Sequence, residues 1–213
     1  MRSPAVSEAL RFAAEVSSDP SAVVTLWKAL TGGMAVGCLP AFPVPEIPHA
    51  AGLLPVSLES PEDVVRCPPW IDALLLRDDS PVGSAPSSRV RCFRYPMAPP
   101  ECAEAALDRI EELAEWAETV SGTPASEGSL WKSIRAYAAR NALLASLEDR
   151  CGAGTTFLAP RERREIVRAG SFLPPEAFSR LLSVILGVDY EIASVPPEGE
   201  RGDPRIVLAK RLP

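Results

Sequence analysis

The chain has a single histidine, His49, and no two cysteines spaced as Cys-x-x-Cys. Its five cysteines are scattered at 38, 67, 92, 102 and 151, so neither a zinc knuckle nor a ferredoxin-type cluster held by one local loop is expected. The glycines form no GxGxxG or GxxxxGK run, which excludes the usual dinucleotide turn and phosphate loop. No apolar stretch reaches the roughly 18–20 residues needed to cross a bilayer. The opening MRSPAVSEALRFAAEV contains acidic residues and no continuous apolar core, so it does not read as a secretory signal. Positive charge is not in excess. A net charge of −6 argues against nucleic acid or an anionic membrane as the main partner. The expected compartment is the cytoplasm, where the cysteines are reduced and serve mostly as small buried hydrophobes.

What is present is ordinary for a globular protein. The 213 residues are 46% hydrophobic and 23% charged, enough for one large domain or a domain with a helical appendage. The 23 prolines exceed the usual share of roughly 5%. They gather in connections, at 40–48, 68–69, 96–100, 174–175 and 196–197, where they stiffen loops. No internal repeat or low-complexity tract appears.

Hydrophobic spacing predicts two amphipathic helices in the first thirty residues, broken at Asp19-Pro20 and closed by Gly32-Gly33. Leu10, Phe12, Ala13 and Val16 form one stripe, and Val23, Val24, Trp27 and Leu30 the other. Met34 to Gly37 reads as a buried strand, followed by a helix bearing Glu46 and His49 and a strand from Leu53 to Leu58. Strand–helix–strand order suggests a parallel pair joined by a crossover. Ser60-Pro-Glu-Asp reads as a helix start, with Val64, Val65 and Cys67 on one short turn. Ile71 to Leu76 and Arg89 to Phe93 are further strands, separated by the polar loop DDSPVGSAPSS.

From Pro100 the period becomes helical. Ala105, Leu107, Ile110, Leu113, Trp116, Ala117 and Val120 lead to Gly122, and a long helix from about Ser126 to Arg150 turns Leu130, Ile134, Tyr137, Leu144 and Leu147 inward. Shorter helices follow near 160–169 and 175–186, then the linker PPEGERGDP and a final strand, Arg205 to Ala209. The expected class is α/β, a Rossmann-like parallel sheet followed by a helical subdomain. Its expected parts are an α/β domain over 1–99, a helical subdomain over 100–190, and a linker with a final strand over 191–213.

The stretch VPEIPHAAGLLPVSL, Val44 to Leu58, carries the sharpest chemical signal. Glu46 and His49 lie three residues apart and so share a helix face, while Ala50-Ala51-Gly52 lets the backbone approach closely. The pair could be a positioned acid and imidazole, since histidine titrates near neutral pH and polarises a carbonyl when held by a carboxylate. The plainer reading has Glu46 charging the first turn of a helix and His49 packed beside it. The Trp27, Trp116, Trp131 and Tyr137 stripe reads as core or a buried interface. Arg161, Arg163 and Arg164 read as a solvated helix face; their sharper reading is a contact for anionic phosphates.

This stretch resembles the N-terminal signature of the 2-hydroxyacyl-CoA dehydratase and benzoyl-CoA reductase subunits. In that family a Gly-x-x-x-aromatic lead-in precedes Pro-Glu-Glu, two apolar residues, His or Tyr, Ala-Ala-Gly and a Pro-Val strand. Gly37 to Phe42, Glu46 and His49 hold the matching positions here. Pro48 departs from the pattern, although it fits a first helical turn. The segments 112–122, 130–150 and 166–182 follow in the family's order, over about the first half of a typical subunit.

The resemblance implies an enzyme working through an iron–sulfur cluster held by thiolates. Cys67 matches its first ligand. The second has no counterpart, since the chain reads Arg77-Asp78-Asp79-Ser80 where a thiol is usual, and the third would fall beyond Pro213. Cys92 and Cys102 are weaker candidates. Any [4Fe–4S] cluster would then be shared with, or supplied by, a partner. The implied partner is a larger paralogous subunit or a second copy of the chain, with acyl-CoA as the implied substrate. Arg161, Arg163 and Arg164 would meet the CoA phosphates. Three roles stay open: assisting subunit, component acting directly on an acyl-CoA thioester by dehydration or ring reduction, and non-catalytic assembly protein.

Overall fold

The computed structural model describes residues 2–39, 42–58, 60, 62, 66–77, 90–95, 101–154, 158–189 and 203–209. Much of the helix expected to start at Ser60, the polar loop after Arg77 and most of the linker before Asp203 lie outside these residues, although Glu62 and Arg66 in the first of these are helical. Among them, four strands form one all-parallel sheet. The strands are β1 (Met34–Cys38), β2 (Leu53–Ser57), β3 (Ala73–Arg77) and β4 (Arg91–Tyr95), in the order β2-β1-β3-β4. The class is therefore α/β and Rossmann-like, as the alternation of strands and helices predicts.

Register follows from burial. Gly37 stands opposite Val56 in β2 and Leu74 in β3, and four of the five residues of both β1 and β3 are buried. Near-continuous apolar strands of this kind belong to sheets covered on both faces. A Cβ on Gly37 would lie 2.8 Å from Leu58 Cδ1 and 3.0 Å from Leu74 Cδ2, so the missing side chain is what lets these leucines pack against β1.

The chain divides into two compact units. One comprises Trp27–Ser133 with Pro196–Pro213 and holds the sheet. The short helix α3 (Glu46–Ala50) lies between β1 and β2 in the chain, and α4 (Ala103–Ser121) packs on α3 and β4. Its inward stripe is Ala106, Ile110, Leu113, Ala117 and Val120, a helical repeat of three and four.

The other unit comprises Met1–Leu26 with Ile134–Val195. Here α1 (Pro4–Ser18) packs on α6 (Pro160–Ala169) and α7 (Pro175–Leu186). The helices α2 (Pro20–Thr31) and α5 (Glu127–Gly152) each continue from one unit into the other. Grouping thus follows packing rather than sequence blocks, with α4 joined to the sheet and α1 to the later helices.

Three details depart from the sequence reading. Phe12 is 42% exposed, because the buried stripe of α1 runs through Val6, Ala9, Leu10, Ala13 and Val16 and Phe12 falls beside it. Leu30 is 77% exposed, since α2 buries only Val24 fully. The final strand expected at 205–209 is a helix, α8 (Pro204–Ala209). Asp203 starts it, accepting the Arg205 N–H at 2.9 Å through Oδ1, with proline at the first helical position. Arg205 reaches Glu111 of α4 at 3.1 Å.

Candidate functional site

The loop leaving β1 enters α3 through Val44 and Pro45. The Ile47 N–H bonds Val44 O and the His49 N–H bonds Pro45 O, both at 3.2 Å. Pro48 sits in this first turn, where its missing N–H costs no intrahelical bond. Gly52, at φ +80°, closes the helix with its N–H on His49 O at 3.0 Å and turns the chain directly into β2. A side chain at that φ would be strained. The Ala-Ala-Gly run is thus a compact stop between helix and strand.

Glu46 is 3% exposed, whereas His49 is half-buried. The imidazole Nδ1 lies 2.9 Å from the hydroxyl of Ser133 on α5, and that hydroxyl donates to the backbone carbonyl of Glu46 at 2.8 Å. Glu46 thus joins this group through its main-chain carbonyl, and Nδ1 has the Ser133 hydroxyl as a partner. Ser133 is 1% exposed. Sequence reasoning passed over it, although a serine in the register of Leu130, Ile134 and Tyr137 on an apolar helix face was a visible signal.

Cys67 lies elsewhere. It lines a cavity of about 540 Å³ with Met34, Ile71, Asp72, Arg91 and Val120 among its other walls. Met34 opens β1, Asp72 immediately precedes β3 and Arg91 opens β4, so this cavity is at the amino edge of the sheet. Open parallel sheets bind ligands at the carboxyl edge, where strand order switches direction; here that switch lies between β1 and β3. At the carboxyl edge Phe42, in the loop after β1, meets Tyr95 at the end of β4, ring centroids 5.1 Å apart.

Three of the thiols, Cys38, Cys67 and Cys92, are poorly placed for ionisation. Burial, then the nearby Cys92 and Asp72, push Cys67 above the usual thiol range. Cys92 is raised by burial, partly offset by Arg94, and full burial pushes Cys38 up to about 12. Metal and cluster ligation needs thiolates. Among the described residues no three histidine, cysteine or carboxylate side chains converge on a point that could hold a metal. The thiols described here do not by themselves fit a [4Fe–4S] cluster.

Cys67 also has φ +38°, the one positive φ among the described non-glycine residues.

The three arginines lie on α6, in the helical unit. Arg161 bonds Glu165 at 2.7 Å, and Arg163 forms an ion pair with Glu148. Two of the three charges are thus already met by carboxylates, in keeping with a solvated helix face. The sequence matches no known family model and no curated protein.

Proposed function

We propose that the chain is a diverged subunit of an iron–sulfur enzyme complex of the 2-hydroxyacyl-CoA dehydratase and benzoyl-CoA reductase type, assisting the reaction rather than catalysing it alone. The supporting observation is the seating of the signature stretch. β1, α3, the Gly52 turn and β2 form one parallel crossover, and its histidine is held by a buried hydroxyl 84 residues further along the chain. Buried polar groups are kept where each partner is satisfied, and a histidine that only fills space needs no such hydroxyl.

The assisting role follows from donor chemistry. Cys67 is at the amino edge with its ionisation disfavoured, so a cluster, if used, would be held mainly by a partner: a larger paralogous subunit or a second copy. The Glu46 side chain is buried, which suits a structural carboxyl better than one meeting an acyl-CoA thioester in solution. His49 would then be this chain's contribution toward the thioester.

Anaerobic purification from the native source, with iron and sulfide analysis of the chain and of whatever co-purifies, tests the reading. The expected result is an iron-containing complex with a larger subunit, from which the isolated chain emerges with little iron. A monomer without companions, or an iron-free complex, would overturn it.

A further inference from the structure

We infer that Ser133 is a positioning residue that holds the His49 imidazole in its Nδ1–H form, so that the neutral ring acts through Nε2 as an acceptor and base. A serine hydroxyl has one proton to donate. The Glu46 carbonyl, 2.8 Å from Ser133 Oγ, can only accept, so that proton lies between these two oxygens. Without it, two lone-pair-bearing oxygens would face each other in a nearly water-free site, Ser133 being 1% exposed. The same Oγ is 2.9 Å from Nδ1 and has only lone pairs left to offer. Nδ1 must therefore carry the hydrogen, and the second ring nitrogen of the neutral side chain holds the basic lone pair.

This runs against the intrinsic preference of the histidine side chain, which in water favours the proton on Nε2. The chain thus spends a buried serine to select the less favoured tautomer.

The consequence for chemistry rests on the acyl-CoA reading, whereas the tautomer does not. A neutral ring protonated at Nδ1 cannot donate from Nε2 to a thioester carbonyl; only the imidazolium can. It can accept a proton or a hydrogen bond at Nε2 from a hydroxyl or an activated C–H. This favours a substrate that presents a hydrogen-bond donor to Nε2 over one presenting a carbonyl alone.

Because the chain has one histidine, ¹⁵N–¹H correlation of the histidine-labelled full chain at alkaline pH reads this ring alone. The expected spectrum has a protonated Nδ1 and an unprotonated Nε2. Ser133→Ala should raise the Nε2–H population about tenfold, as loss of one hydrogen bond implies, and Ser133→Thr should restore the wild-type ratio. A wild-type ring protonated at Nε2 would overturn the assignment, a result that needs no variant to fold. A ratio unchanged in folded Ser133→Ala would overturn it as well. Adding lactoyl-CoA to the wild-type chain should move the Nε2 resonance; if it does not, the acyl-CoA reading fails while the tautomer assignment stands.

Discussion

Asp72 binds Lys28 at the amino edge of the sheet, with 2.8 Å from Nζ to both Oδ1 and Oδ2. Its Oδ2 also accepts the Ala35 N–H at 2.8 Å, and Lys28 Nζ reaches Trp70 O at 3.3 Å. One carboxylate therefore ties helix α2 to the first strand. Both side chains are about a quarter exposed, so the ion pair itself is screened and weak; the bond to backbone carries more. Asp72→Ala is expected to cost about 1–3 kcal/mol by leaving a strand N–H without its acceptor. Asp72→Asn, which can keep that acceptor, should cost less. Urea unfolding of the two variants checks the order, and equal losses would contradict it.

Gly170 is fixed by Phe178. A Cβ added there would fall 2.5 Å from the Cε1 and Cζ atoms of a ring that is 0% exposed. Gly170 has φ −62°, so backbone entropy alone would favour alanine by about 0.4–1 kcal/mol. The clash with a rigid buried ring reverses that sign, and overpacking of this kind costs about 1–3 kcal/mol. Gly170→Ala should therefore lower the unfolding midpoint, and a rise would show that the ring can move aside.

Cys67 tests backbone strain directly. At φ +38° a side chain costs roughly 1–2 kcal/mol that glycine does not pay. Cys67→Gly should be more stable than Cys67→Ala by about 1 kcal/mol, since only glycine relieves the conformation. Equal stabilities of the two variants in denaturant would remove the strain from the account. The same pair, assayed in the native complex, asks whether the thiol is needed at all.

Glu162 supplies an acid-sensitive contact in the helical unit. Hydrogen bonding from Arg2 holds its carboxyl below the ordinary 4.5, against a smaller opposing effect of burial, with the Ala159 N–H adding to the lowering at 2.7 Å. A carboxyl lowered by folding stabilises the native state fully above its unfolded value and loses that contribution as pH falls through the folded one. Glu162→Gln should thus be less stable than the wild type at pH 7. The gap should close as pH drops below 4.5. Unfolding midpoints across that range check it, and a gap that widens in acid would contradict the sign. The effect is small, because solvent reaches both partners.

Much of the architecture was legible in local pattern. The stripe through Ile110, Leu113, Ala117 and Val120 announced a helix by its period, and the apolar runs at 53–58 and 71–76 announced buried strands. Gly52 marked the end of α3 because a positive φ is inexpensive only for glycine. Even the misread tail held its own signal: Asp203-Pro204 is a cap followed by a first-turn proline, and the apolar Ile206 to Leu208 outweighed it only because a short apolar run fits helix and strand alike.

The amino-acid order by itself determined which segments are helical or extended and which faces turn inward, because those depend on side chains a few residues apart. Tertiary packing alone decided that β3 and β4 follow β1 on the side away from β2, that Cys67 lies at the amino edge, and that Ser133 reaches His49. Those outcomes require groups far apart in the chain to meet within hydrogen-bonding or van der Waals reach, and no local period encodes where a chain returns to itself.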